Sequence, residues 1–132
     1  MHTRILVVSH YSDTRNAISQ SLSLLGYSVT AVSGEHAMAA IHAGAPDIVL
    51  TEVVMPDKCG IELIREIKRA GSRIKIIATS AAGVLDRGYI LELARKLGAD
   101  LVLPKPFEID QLLAALEQVL KRPTGGDRRD IV

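Results

Sequence analysis

Aromatic side chains are scarce in this chain of 132 residues, with one Phe, three Tyr and no Trp. A flavin pocket walled by aromatic rings is therefore poorly supplied, and the interior must be built from Ile, Leu, Val and Ala. At 48% hydrophobic content that palette is ample, and it suits a parallel sheet covered by helices on both faces. Cysteine occurs once, at Cys59, which excludes an internal disulfide and leaves a zinc framework without its thiolates. Charge of one sign is not in excess either. Sixteen Lys and Arg stand against fifteen Asp and Glu, a formal net charge of +1, so electrostatics give no reason to expect binding to nucleic acid or to an acidic membrane surface. No apolar stretch approaches membrane-spanning length, and the chain enters a strand within three residues of its start. A cytoplasmic protein is expected. The glycines do not form a Gly-x-Gly-x-x-Gly fingerprint or a P-loop, so nucleotide binding has no positive sign.

What is present is alternation. Short apolar runs of strand length are separated by longer stretches with helical period, which marks repeated strand-helix units around a parallel sheet. Five units fit, with boundaries good to a few residues. The first strand covers Arg4 to Val8, and its helix is expected to start at Ser12 as N-cap, with Asp13 in the first turn and Ile18, Leu22 and Leu25 on the inner face. Gly26 ends that helix in the left-handed conformation. Ser28 to Val32 alternates as an edge strand does, and Ser33 is expected to cap a short Ala-rich helix reaching Ala43. Ile48 to Leu50 reads as the buried central strand. After the Met55-Pro56 loop comes a helix with Ile61, Ile64 and Ile67 facing inward, closed by Gly71. Ile74 to Thr79 is the fourth strand, followed by a helix from Arg87 to Leu97 with Ile90, Leu93, Ala94 and Leu97 inward and Gly98 at its end. Leu101 to Leu103 is the last strand, and the last helix, Glu108 to Leu120, presents Ile109, Leu112, Leu113, Leu116 and Leu120 to the core. Residues 1–120 thus form one expected domain. Residues 121–132 change character, with Pro123, two glycines and little apolar content, and are expected to be a disordered tail.

Three segments carry the functional signal: Ile5-Leu6-Val7-Val8-Ser9-His10, Asp47 through Glu52 with its continuation to Met55-Pro56-Asp57-Lys58-Cys59-Gly60, and Leu103-Pro104-Lys105-Pro106-Phe107. In order, spacing and flanks, over residues 4 to 120, they resemble the receiver domain of bacterial two-component response regulators, which accept a phosphoryl group on an aspartate. The resemblance implies an α/β fold, a doubly wound five-stranded parallel sheet of strand order 2-1-3-4-5, with its site at the crevice between strands one and three. It implies a role for each strand end. Glu52 stands at the phosphoacceptor position, and Ser9 and His10 stand where the family places an acidic pair that holds magnesium. Ser80 matches the phosphate-contacting hydroxyl, with Thr79 one residue away as an alternative. Lys105 matches the phosphate-contacting lysine, Pro106 a proline whose peptide bond is cis in relatives, and Val102 the aromatic that rotates on activation.

The chemistry expected of such a site is therefore lost. A hard divalent ion wants several oxygen ligands in octahedral geometry, while Ser9 supplies a neutral hydroxyl and His10 an imidazole. Glu52 is longer than Asp by one methylene, roughly a bond length, enough to misplace an in-line nucleophile. No cofactor is expected, magnesium binding is expected to be lost, and a Glu52–Lys105 ion pair is expected to balance the site by itself. Asp57 reads as a turn or helix-entry residue in preference to a displaced acceptor. His2, His36 and His42 read as surface residues, and Ser9 beside His10 lacks the geometry of a catalytic pair. The chain is thus expected to be a stand-alone, degenerate receiver and not an enzyme. Its expected action is to bind a histidine kinase, a downstream effector or a second copy through residues 87 to 120, the fourth helix, fifth strand and fifth helix. Two readings compete with it: a receiver that still accepts phosphate through a non-standard site, and a small flavodoxin-like enzyme or cofactor-binding domain, since one fold hosts several chemistries. A phosphatase of the haloacid-dehalogenase type would need an Asp where Ser9 stands.

Overall fold

The alternating pattern folds as a doubly wound α/β domain in the computed structural model, which describes residues 2–70, 73–80 and 87–121, the side chain of Arg87 apart. The elements are β1 (Arg4–Val8), α1 (Ser12–Leu24), β2 (Ser28–Val32), a 3-10 turn at Gly34–His36, α2 (Ala37–Ala43), β3 (Ile48–Glu52), α3 (Gly60–Arg69), β4 (Lys75–Ser80), α4 (Arg87–Leu97), β5 (Leu101–Pro104) and α5 (Ile109–Lys121). All pairings are parallel, in the order β2-β1-β3-β4-β5.

Successive strand residues point to opposite faces, so each strand feeds two cores. Leu6, Val8, Val49, Ile76 and Ala78 pack against Ile41 of α2, Leu63, Ile64 and Ile67 of α3, and Leu91 and Ala94 of α4. Ile5, Val7, Ile48, Leu50 and Ile77 pack against Leu22 of α1 and Leu112, Ala115, Leu116 and Val119 of α5. Every residue of β3 is buried, which is why it reads as a continuous apolar run while the edge strand β2 alternates.

Several local expectations are corrected. Tyr11, extended at φ −92°, holds the N-cap position of α1 with no side-chain cap bond, and Ser12 is already helical. Ser33 stands before the 3-10 turn without a side-chain cap bond. Leu25 is the C-cap of α1, where the chain leaves the helical path that carries Ile18 and Leu22 inward, and is 52% exposed. Ile109 and Leu120, near the two ends of α5, are exposed at 39% and 43%, and the buried face of the helix is Leu112, Ala115, Leu116 and Val119. On α4 the most buried side chain outside Ala94 is Leu91, and on α3 Leu63 joins Ile64 and Ile67. Lys121, assigned to the tail by composition, is the last residue of α5. The rest of that tail and Gly71 lie outside the described residues. Gly26 and Gly98 adopt positive φ, 99° and 135°, as helix-ending glycines do.

Candidate functional site

Each chain segment that leaves the carboxyl end of β1, β3, β4 or β5 delivers one polar group to a common crevice. Its position is fixed from below by the apolar strand residues and from the side by Gly60. A Cβ on Gly60 would lie 2.2 Å from the Glu52 carbonyl oxygen and 2.6 Å from Val53 Cα, and the Gly60 N–H donates to the Val53 carbonyl at 2.8 Å. Only glycine lets α3 start this close to the end of β3.

Glu52 is the centre of the crevice and is 6% exposed. Its Oε2 forms a direct ion pair with Lys105 Nζ. Oε1 faces the backbone N–H of His10 at 3.4 Å. The expected pair between strands three and five is thus formed, and both carboxylate oxygens are engaged. The lysine is delivered by a main-chain bond from its N–H to the Ser80 carbonyl, 3.0 Å, and the Lys105–Pro106 peptide bond is cis.

Ser9 is buried, and every polar atom it has is used. Its N–H donates to the Val32 carbonyl at 3.1 Å, its Oγ accepts the Tyr11 N–H at 3.3 Å, and its carbonyl accepts Arg15 Nη1 at 2.7 Å. The same guanidinium nitrogen reaches the His10 carbonyl at 3.1 Å. Sequence reasoning misses Arg15, one helical turn into α1, because a lone arginine on an amphipathic helix reads as a solvated residue. The His10 ring packs edge-on to Tyr11, centroids 4.9 Å apart, and points Nδ1 at Asp57 Oδ1 across 3.5 Å. Asp57 Oδ2 accepts the Glu35 N–H at 3.1 Å. The aspartate read as a turn residue therefore ties the β3–α3 loop to the 3-10 turn ahead of α2 and faces the loop after β1. Burial raises its carboxyl's pKa, but the backbone N–H groups of Glu35 and Asp57 and the nearby His10 outweigh that and hold it below its ordinary value. Beside it, Lys58 bonds Glu66 of α3 at 2.7 Å, which raises the ammonium's pKa.

The two hydroxyl candidates on β4 have different surroundings. Thr79 pairs in register with Glu52 and lines the same small cavity, with Ser9, Glu52, Lys105 and Phe107. Ser80 Oγ is buried with no hydrogen-bond partner among the described residues. The cavity holds about 10 Å³, room for roughly one water molecule. Val102 is partly buried against the α3 and α4 side of the sheet, paired with Ala78. His2, His36 and His42 are exposed.

The donor set does not fit a magnesium ion. At the strand ends it comprises a serine hydroxyl already accepting a main-chain bond, an imidazole, and one carboxylate held by Lys105 and His10. An ion with near-octahedral demand for hard oxygens is not matched by such donors. Among the described residues no group of three or more His, Cys, Asp or Glu is placed to hold a metal.

The fold and this crevice define a class, the flavodoxin-like doubly wound domain with a site at its topological switch point. Within that class the chain belongs to the response regulator receiver domain family, whose model matches residues 5–117. It is 37% identical over 130 residues to the response regulator MprA of Mycolicibacterium vanbaalenii, covering 96% of this chain and 54% of that protein. It is 36% identical over 125 residues to the MprA of Mycobacterium tuberculosis, covering 92% and 52%. The chain thus spans about half the length of the curated relatives it matches. The receiver domain of NtrX from Brucella abortus superposes with a TM-score of 0.82 at 27% identity, covering 90% of this chain and 99% of that one. The strand order 2-1-3-4-5 and a receiver domain of two-component signalling are therefore the fold and family of this chain. No helix among the described residues is long and apolar enough to cross a membrane.

Proposed function

We propose that this chain is an atypical receiver that acts in two-component signalling by protein–protein contact, without phosphorylation and without magnesium, in the cytoplasm and with no enzymatic activity of its own. The observation that carries this reading is the state of Glu52, whose two oxygens are taken by Lys105 and by the His10 N–H. Aspartyl phosphate chemistry needs a free carboxylate placed in line with the phosphoryl donor and a divalent ion to neutralise the phosphoryl oxygens. Here the residues at the metal positions are Ser9 and His10, and the acceptor carboxylate already has its counter-charge.

The partner surface proposed is that of α4, β5 and α5, residues 87 to 120, facing a histidine kinase, a downstream effector or a second copy of this chain. Incubation with acetyl phosphate and magnesium followed by intact-mass measurement tests the reading. An unchanged mass is expected. A phosphoryl mass gain that vanishes in Glu52→Gln overturns it.

A further inference from the structure

A buried acceptor at the mouth of the crevice lacks a hydrogen bond. Asp57 Oδ1 is out of solvent with no donor among the described residues, while Oδ2 of the same carboxylate accepts the Glu35 N–H at 3.1 Å. A carboxylate oxygen left in that state is costly, so a donor that reached it would be favoured. The group facing it is His10 Nδ1 at 3.5 Å, too long for a hydrogen bond but close enough for a small loop movement to make one. The His10 side chain is 38% exposed, so its ring exchanges protons with solvent, whereas the Asp57 side chain is 17% exposed.

Every element around His10 contributes a group to it. From the β3–α3 loop comes Asp57, the carboxylate paired with the ring among the described residues. From β3 comes Glu52, whose Oε1 faces the His10 N–H at 3.4 Å and whose Oε2 is held by Lys105 after β5. From α1 comes Arg15, which donates to the His10 carbonyl at 3.1 Å, and Tyr11 packs its ring edge-on to the imidazole. Lys58, next to Asp57, is turned away to Glu66 at 2.7 Å. A second imidazole stands nearby: His36 Nε2 lies 3.5 Å from Glu35 Oε1, but those side chains are 67% and 63% exposed, and solvent screens them.

We propose that His10 and Asp57 form a pH-sensitive clasp across the mouth of the crevice: proton uptake by His10 draws the loop after β1 onto the loop after β3 and, through Asp57, onto the 3-10 turn ahead of α2. A protonated ring carries an N–H on both nitrogens, so one is always aimed at Asp57 Oδ1, whereas a neutral ring can set a lone pair against it. Imidazole is the side chain that titrates near neutrality, about pH 6.5 when free. The Asp57 carboxyl, below its ordinary 3.8, is an anion throughout that range. The ion pair is therefore present at low pH and lost as pH rises, the sign of a histidine that gains its partner by protonation. Closing the gap also moves the His10 main chain, whose N–H faces Glu52, so the Glu52–Lys105 pair registers the proton. The clasp is tested without a phosphoryl donor, so its failure and that of the phosphorylation-independent reading are separate.

Melting temperatures of the full chain and of His10→Gln, each with and without Asp57→Asn, test the clasp when followed from about pH 8 down to about pH 5.5. The margin of the parent over His10→Gln is expected to widen by at least about 2 °C across that range, and to stay constant when both carry Asp57→Asn. Magnetic resonance gives a second readout. In His36→Gln, whose 3-10 turn holds no imidazole, the Glu35 amide is expected to shift along the same titration curve as the His10 ring protons, and to stop following them once Asp57→Asn is added. A margin that does not change with pH overturns the proposal. So does one that widens equally in the Asp57→Asn background or is lost in His36→Gln. Should a variant at His10 or Asp57 fail to fold, the His36→Gln chain decides: a Glu35 amide that follows the His10 ring supports the clasp, and one that ignores it overturns the clasp.

Discussion

A single methylene separates Glu52 from an aspartate, and the residues around it have adjusted to a carboxylate that is neutralised in place. Removing Lys105 leaves a buried anion without its counter-charge, whereas neutralising both partners leaves no buried charge, and these have different costs. Lys105→Met is therefore expected to destabilise the domain by about 1–3 kcal/mol in urea denaturation. With Glu52→Gln the double variant is expected to lose less than the two single losses combined; strict additivity in that cycle would mean the side chains do not interact. Asp57 gives a pH test. Its folded-state value lies below the ordinary 3.8, so the stability it contributes is fully present above 3.8 and is lost as pH falls through the lower folded-state value. Asp57→Asn should flatten that part of the acid-unfolding curve, and an unchanged curve would place its stabilising partners elsewhere.

The start of α3 lies close against the end of β3. Gly60 touches the main chain of Glu52 and Val53, and neither neighbour is a flexible side-chain tip that can swing away. Gly60→Ala is expected to cost about 1–3 kcal/mol, typical of overpacking, and to shift the amide resonances of Val53 and Glu52 because α3 must back off from β3. A melting temperature equal to that of the parent would show that the contact relaxes freely. Period and punctuation locate the ten helices and strands of the described residues to within a few positions, because burial on one face repeats every 2 or 3.6 residues whatever the neighbours are. They fail at helix ends. Leu25, Ile109 and Leu120 continue the apolar stripe by spacing but are exposed at the ends of their helices, and sequence spacing carries no information on where the covering layer stops.

For the molecule as a whole, the α4, β5 and α5 surface lies at one edge of the sheet, with β2 at the other. If the first is the signalling face, Arg95→Glu, at an exposed α4 position, should weaken partner capture while shifting the melting temperature by no more than about 3 °C. The affinity should be the same with and without beryllofluoride, and a sharp rise with beryllofluoride would restore the phosphoswitch.

Short apolar runs with polar ends place Ser9, Glu52, Ser80 and Lys105 near the ends of β1, β3, β4 and β5, and the resemblance to the receiver family is what assigns each of them to the site. The family resemblance is legible in the sequence. The partners of these groups are not. Arg15 folds back onto the Ser9 and His10 carbonyls, and Asp57 bridges to Glu35 while facing His10. The choice of Thr79 over Ser80 for the cavity beside Glu52 follows from sheet register. Sequence determines which groups are present and which element each belongs to, since those depend on local periodicity; the distances between elements, and therefore every ion pair that crosses the crevice, exist only once the sheet has set its register and the helices have packed upon it.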